Sequence, residues 1–481
     1  MPAPTQPEPT QPEHTQQDPT QLSVDTTAID GMLVLHLPLH GDNRGWFKEN
    51  WQRAKMTALG LPDFGPVQHS VALNARGVTR GFHAEPWDKL VSLATGRIFG
   101  AWVDLREGPG FGTTVTLELG PETAVFVPRG VANSYQALAD DTAYSYLVNQ
   151  HWSAEARSRY TYVNLFDPTL GIAWPIPADQ CQLSDADRAH PQLADVIPMA
   201  PRSTLIIGAD GQLGRALVRL LPDALTPTRD ELDLTDPRTV EAYDFSGVGT
   251  VINAAAHTAV DAAETPEGRR AAWATNATGV ANLAAACRRH RLRLVHVSSD
   301  YVFDGQNTEH TEDEPLAPLG VYGQTKAAAD LLAATVDQHY LVRTSWVIGD
   351  GKNFVDTMAG LAAKGVSPRV VDDQYGRLTF TQDLAAGIVH LLTTHAPHGT
   401  YNLTNSGPIT SWADIAARVF ELLGRDPADV SGISTAEYTA GTPTAPRPTH
   451  SALNLDKITA TGFTPPPADQ RLIEHFGTDR A

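Results

Sequence analysis

The chain has 481 residues, with 42% hydrophobic and 19% charged side chains, enough for two or three domains with full cores. A formal net charge of -19 argues against nucleic acid as a partner, because phosphate binding needs a surplus of Lys and Arg. Cys181 and Cys287 stand without a CxxC, and no secretory or bilayer-spanning run is present, which disfavours a disulfide framework, a structural zinc site and membrane insertion. A cytoplasmic setting is expected.

Residues 1–21, "MPAPTQPEPTQPEHTQQDPTQ", lack the apolar content to offset ordering entropy and read as a disordered tail. Over 22–198, short β-rich runs such as "GMLVLHLPL", "TTVTLELG" and "TAYSYLVN" alternate with Gly, Pro and Asp clusters. That spacing predicts an all-β, cupin-like jelly roll. Near Met199 the pattern changes. Over 199–481 the strands "STLIIG", "GTVINAAA", "LRLVHVSS" and "HYLVRTSWV" alternate with helical segments. This predicts an α/β Rossmann-type, doubly wound parallel sheet with a smaller substrate-binding part.

In the first half, polar residues concentrate in "GVTRGFHAEPWDKL", which places Arg80, His83 and Lys89 among mostly apolar strands. A metal-binding cupin needs HxH and a second histidine motif. Here HxE is followed by "VPRGVANSYQ" without histidine, so no metal is expected. The segments "RGFH", "VDLREGPGFG", "FVPRG", "DPTLGIAWP" and "LSDAD" together resemble the dTDP-4-dehydrorhamnose 3,5-epimerases over about residues 23–195. The resemblance implies that His83 removes protons beside a ketone, oriented by Asp187, while Tyr146 returns them. Arg80 and Lys89 would stabilise an enolate or diphosphate. Asn133 and Trp152 stand where the family usually has His and Tyr. They are taken as substrate-binding, and they leave open whether both C3 and C5 are inverted. The resemblance also implies a homodimer through the β domain.

In the second half, Gly208, Gly211 and Gly214 form GxxGxxG between a strand and a helix, the place for a pyrophosphate at a helix N-terminus. Gln212 and Leu213 lie within that turn. Tyr322 and Lys326, four apart in "YGQTK", share one helix face, where the ammonium is expected to lower the phenol's pKa. Upstream, "VSSDYVFDG" sets Ser299 and Asp300 at a strand end, completing a hydride-transfer site for a ketone.

These motifs, with "NAAAHTAVDAAE", "NATGVANLAAAC", "VRTSWVIGDGKNFVDTM", "VVDDQYGRLT" and "RPTHSALN", resemble the dTDP-4-dehydrorhamnose reductases within the extended short-chain dehydrogenases, over 203–481. The resemblance implies catalysis by Ser299, Tyr322 and Lys326. It places Asp300, Trp346, Gln374 and Arg447 by the sugar nucleotide and Asn253 in the cofactor cleft. Ala216 and "AGLAAKG" stand where some members carry metal-binding glutamates, so neither that metal nor that dimer is expected. Leu378 replaces a proline common in the family. Arg229, at the expected end of the second strand, could meet a 2′-phosphate, while Asp233 could serve the adenosine end. NADPH is the expected cofactor and NADH the alternative.

The combined expectation is a bifunctional enzyme that epimerises dTDP-4-dehydro-6-deoxy-D-glucose and then reduces its C4 ketone to dTDP-L-rhamnose. Two alternatives stay open. One is the same fold acting on another nucleotide-linked 4-keto-deoxy sugar, UDP-linked or inverted at one centre. The other is a non-catalytic NAD(P)-binding regulatory protein, against which the complete set of reactive residues argues.

Overall fold

The computed structural model describes residues 21–441 and 444–477, so the tail reading lies outside the described residues except for Gln21. Two compact units divide after Pro201. Met199, the expected boundary, belongs with the first unit. Its N–H donates to Leu105 and its carbonyl accepts from Glu107, at 2.7 and 3.0 Å.

The first unit contains two antiparallel sheets. One has six strands in the order Ser23–Thr26, Leu33–His36, Thr123–Val127, Lys89–Thr95, Thr142–Val148 and Gln68–Asn74. The other has five, in the order Thr161–Tyr162, Thr79–Ala84, Val131–Ala137, Ile98–Asp104 and Thr114–Leu119. Alternation along each strand divides its side chains between two faces. Val91, Leu93, Val125 and Tyr144 of the first sheet meet Ile98, Trp102, Val131 and Tyr135 of the second in one buried cluster. The intervening residues face outward into separate clusters. Leu90, Ala124 and Phe126 pack with Met56 and Phe64, while Phe82, Ala101 and Val103 pack with Val163 and Leu165.

The second unit is built on five parallel strands in sequential order: Ser203–Ile207, Val248–Asn253, Arg293–Ser299, His339–Thr344 and Gly399–Asn402. Leu205, Val251, Leu294 and Leu341 face the helices Gly279–His290 and Val321–Ala333. Ile206, Ile252, Val295 and Val342 face Gln212–Leu220 and Thr381–Thr393 on the other side. A smaller part packs the helices Phe354–Ala363 and Trp412–Leu422 through Val355, Met358, Ile415, Val419 and Phe420. The second strand expected near Arg229 is reduced to one parallel bridge between Leu205 and Leu225. Its sequence, "DALTPTRD", has Pro227 two residues after Leu225, and a proline without an N–H does not extend the ladder.

Trp102 is fully buried and donates from Nε1 to Asn133 Oδ1 at 3.0 Å. Trp102→Ala should cost about 3–5 kcal/mol of stability in urea melts, with Trp102→Phe losing clearly less. A loss below about 1 kcal/mol for Trp102→Ala would show that the space between the sheets is not close-packed.

Candidate active sites

Cross-strand register assembles the first site. His83, Asn133 and Trp102 are successive partners across three strands of the five-stranded sheet, so their side chains leave from the same face as the shared core. Tyr146 packs against that core from the six-stranded sheet, and Lys89 shares its strand face with Val91 and Leu93. His83 and Tyr146 therefore approach one interior from opposite walls.

His83 Nε2 donates to Asp187 Oδ1 at 2.8 Å. Asp187 lies in the short helix Asp185–Arg188, whose N-cap Ser184 accepts from the Asp187 N–H at 3.1 Å. Burial alone would raise the Asp187 carboxyl, but the hydrogen bond and charge of His83 hold it below the usual carboxylate range. With hydrogen on Nε2, the basic lone pair of His83 is on Nδ1. His83, Asp187, Arg80, Arg157 and Arg188 line a cavity of about 490 Å³, so a base and three cations share one opening. Lys89 Nζ sits 4.7 Å from the Tyr146 ring centroid and 2.7 Å from Glu85 Oε2. Asn133 is less open to a ligand than expected, because its Oδ1 already accepts from Trp102 and from the Tyr144 hydroxyl at 3.1 Å. Trp152 is 56% exposed.

The second site lies at the C-terminal ends of the parallel strands, where βα connections open a crevice. Gly208 has φ +81°, and a Cβ there would fall 2.7 Å from the Ala255 nitrogen. At Gly214 a Cβ would fall 2.1 Å from the Gly208 carbonyl oxygen, so the helix start packs directly on the turn. Gly211 is the N-cap of Gln212–Leu220 and supplies no side-chain cap, which leaves that terminus fit for an anionic group. Leu213 turns its side chain into the core, so only its backbone can serve a cofactor. Gln212 instead spends its amide on the Lys352 carbonyl, at 3.1 Å.

Ser299 donates to Asp300 Oδ1 at 3.0 Å and hydrogen-bonds the Tyr322 hydroxyl. Burial pushes Asp300 up to about 6. Tyr322 corrects an expectation. Burial pushes its hydroxyl up to about 12, and the opposing influence is the Ser299 hydrogen bond rather than Lys326. The lysine's nitrogen is turned to the Val297 carbonyl at 2.6 Å, and burial pulls it down to about 8.

The remaining expected residues are spread more widely. Arg447 is held by both oxygens of Asp261, each at 2.9 Å. Gln374 donates to the Thr435 hydroxyl at 3.0 Å. Trp346 stacks on Trp412 at 3.8 Å between centroids and holds φ +46°, a conformation that non-glycine residues adopt at some cost. Asn253 is buried under the crevice. Asp233 accepts from the Thr235 N–H and hydroxyl at 2.9 and 2.8 Å and from Arg229 Nε at 3.3 Å. The Arg229 side chain is itself 76% exposed.

Three residues near these sites carried no sequence signal strong enough to single them out. Glu85 lies half-buried against Lys89 and Trp87. His190 approaches Asp187 at 3.9 Å, and with His83 its ligating atoms gather within 4.8 Å, a metal-compatible grouping that the search for HxH motifs did not reveal. His296 lies beneath Lys326.

Comparison with known proteins places both halves. The family model described as dTDP-4-dehydrorhamnose 3,5-epimerase matches residues 26–195, and the one described as RmlD substrate binding domain matches 202–479. The chain is 46% identical over 179 residues to the "Protein RmlC homolog" of Streptococcus pyogenes serotype M6, covering 36% of this chain and 90% of that protein. It is 41% identical over 270 residues to the "Probable dTDP-4,6-dihydroxy-2-methyloxan-3-one 4-ketoreductase" of Streptomyces antibioticus, covering 54% and 90%. Among solved structures, dTDP-4-dehydrorhamnose reductase of Bacillus anthracis in complex with NADP is similar at 32% identity and TM-score 0.53, covering 58% of this chain and 99% of that one.

The raised Asp300 predicts a pH effect of definite sign. A carboxyl lifted to about 6 retains its proton in the fold at pH values where the unfolded chain has released it. Its contribution is full below about 4, the unfolded value, and is lost as pH rises through 6. In urea melts from pH 4.5 to 7, wild type should lose on the order of 2 kcal/mol relative to Asp300→Asn. Parallel curves would contradict the burial of that carboxyl.

Proposed function

The chain belongs to the dTDP-4-dehydrorhamnose 3,5-epimerase family through its first unit and to the RmlD substrate binding domain family through its second, and from that membership we propose a bifunctional enzyme of dTDP-L-rhamnose synthesis. The first unit, read as a jelly roll, epimerises dTDP-4-dehydro-6-deoxy-D-glucose. The second, read as a doubly wound dinucleotide-binding domain, reduces the C4 ketone of the product with a nicotinamide cofactor. The observation that carries this is a paired base, His83–Asp187, in the same chain as a buried Ser299–Tyr322–Lys326 site.

Hydrogens at C3 and C5 are α to the C4 ketone, so their removal sends the electron pair onto O4. His83 Nδ1 takes each proton, and Asp187 stabilises the imidazolium through Nε2. Lys89, on the facing wall with Tyr146, is placed to stabilise the enolate oxygen, and the arginines of the cavity suit the diphosphate. Tyr146 then returns a proton to carbon from the opposite face, which inverts the centre. His83 releases its proton to solvent, and the tyrosine is reprotonated.

In the second unit the crowded turn at Gly208 and Gly214 and the uncapped helix start at Gly211 fit a dinucleotide pyrophosphate. A nicotinamide cofactor, when bound, supplies the hydride that reduces C4. Ser299 holds the carbonyl oxygen, and Tyr322 gives its hydroxyl proton to that oxygen as charge develops. Arg229, exposed beside Asp233, is the residue assigned to a 2′-phosphate, which makes NADPH the preferred cofactor. No metal is assigned a part. The same reading expects a cytoplasmic setting and a homodimer through the first unit. Among the described residues, no helix is long and apolar enough to cross a membrane.

Incubation with dTDP-4-dehydro-6-deoxyglucose and NADPH in heavy water should yield dTDP-rhamnose carrying deuterium at C3 and C5. Absence of both product and deuterium uptake would overturn the proposal. His83→Ala should lose overall turnover by about 10³-fold or more and recover when a separate epimerase is added. Full activity in that variant would remove His83 from the role of base.

A further inference from the structure

Beside the paired base stands a second histidine that the mechanism above does not use. The His190 side chain is only 9% exposed, and its Nδ1 has no hydrogen-bond partner among the described residues. Its Nε2 lies 3.9 Å from Asp187 Oδ1, too far for a hydrogen bond. Two groups hold the ring in place. Tyr162 stacks on it at 4.6 Å between centroids. Asn164 fixes the loop by donating from Nδ2 to the Arg188 and His190 carbonyls, at 3.3 and 3.2 Å. His83 meets the same ring edge-on, 5.5 Å away between centroids.

His83, Asp187 and His190 each offer one ligating atom here, and those atoms lie within 4.8 Å of one another. Donors around a four-coordinate transition metal, bound at about 2.0–2.1 Å, stand roughly 3.3–3.5 Å apart. The separations from Asp187 Oδ1 straddle that spacing, at 2.8 Å to His83 Nε2 and 3.9 Å to His190 Nε2. Shifts of about 1 Å or less would bring all three onto one ion. Two imidazoles and a carboxylate suit zinc, cobalt or nickel, whereas magnesium and calcium prefer oxygen donors. Burial, and after it the His83 charge, hold the His190 ring below its ordinary pKa, so it keeps a lone pair for a metal. The cavity reaching His83 and Asp187 leaves room for water as a fourth ligand. Arg80, Arg157 and Arg188 line that cavity too and oppose a further cation, which makes such an ion exchangeable.

A neutral imidazole has one hydrogen and one lone pair. In the His83–Asp187 pair the hydrogen is on Nε2 and the lone pair on Nδ1 is the base. An ion on Nε2 uses the lone pair of that nitrogen, so the hydrogen moves through water to Nδ1. No net proton is released, and Nδ1 can no longer accept one from substrate. We propose that His83, Asp187 and His190 form a transition-metal site whose occupation switches the epimerase base off. The ion is an inhibitor that displaces the Nε2 hydrogen, not a cofactor. The switch rests on the reading of His83 as the base, whereas metal binding does not.

The test uses the full chain without an affinity tag, and the metal alone as probe. Cobalt(II) titrated into wild type should bind at one ion per chain, with the visible absorption of a low-coordinate site, and zinc should displace it. His190→Phe keeps a ring against Tyr162 but has no lone pair, and should weaken cobalt binding by at least about tenfold. His190→Gln gives the same comparison if that variant does not fold. In heavy water, zinc should suppress deuterium uptake at C3 and C5 of the substrate in step with occupancy. A chelator should restore uptake, and magnesium should not suppress it. In the His190 variant, half-suppression should need at least about tenfold more zinc. Cobalt binding that is absent, or that is unchanged in both variants, overturns the proposal, as does uptake that survives full occupancy. If metal-free wild type shows no uptake at all, the reading of His83 as the base fails instead, and the cobalt spectrum still decides the site.

Discussion

A polar side chain removed from water keeps its place only if a partner meets it, and both sites are organised by that requirement. In the first unit the buried Asp187 is met by His83, and the buried Lys89 by Glu85. In the second, Asp330 is met by Arg343 and Ser298, while Lys326 is met by a main-chain carbonyl. These pairings are costly to break singly, because the surviving partner would be left charged and unpaired. They hold the reactive groups still while leaving selected atoms free. His83 keeps Nδ1, and Tyr322 keeps a proton that burial binds tightly.

The two units solve different chemical problems with different geometry. Inversion of a carbon needs a base and an acid on opposite sides of it, and two facing sheets supply opposite walls. Ketone reduction needs donors convergent on one oxygen beside a hydride source, and the open end of a parallel sheet supplies convergence. Ser299 ends one strand, while Tyr322 enters from the helix that packs against it. A single chain carrying both sites raises the effective concentration of one toward the other's product only as far as its geometry permits.

Legibility in the sequence was greatest where a residue's role depends on its neighbours along the chain. The glycines of "GADGQLG", the i, i+4 pair in "YGQTK" and the alternation of the β strands are local patterns, and the structure has each in its expected element. Pairing across strands was far less visible. His190 and Glu85 look like ordinary loop residues until the fold sets them beside Asp187 and Lys89. His296 reads as one polar residue in a buried strand until register puts Asn253 next to it. The expected effect of Lys326 on Tyr322 failed for the same reason. Spacing puts two side chains on one helix face, but only packing decides which acceptor the longer one reaches.

By itself the sequence determined that two units exist, that one is β-rich and the other alternates strand and helix, and which titratable side chains stand together in local motifs. Those features follow from periodicity and residue type, which survive without knowledge of distant contacts. The tertiary structure alone decided which nitrogen of His83 is paired, where the Lys326 ammonium points and how strongly Asp300 retains its proton. Each depends on the loss of water and on partners far away along the chain, and neither has a local signature.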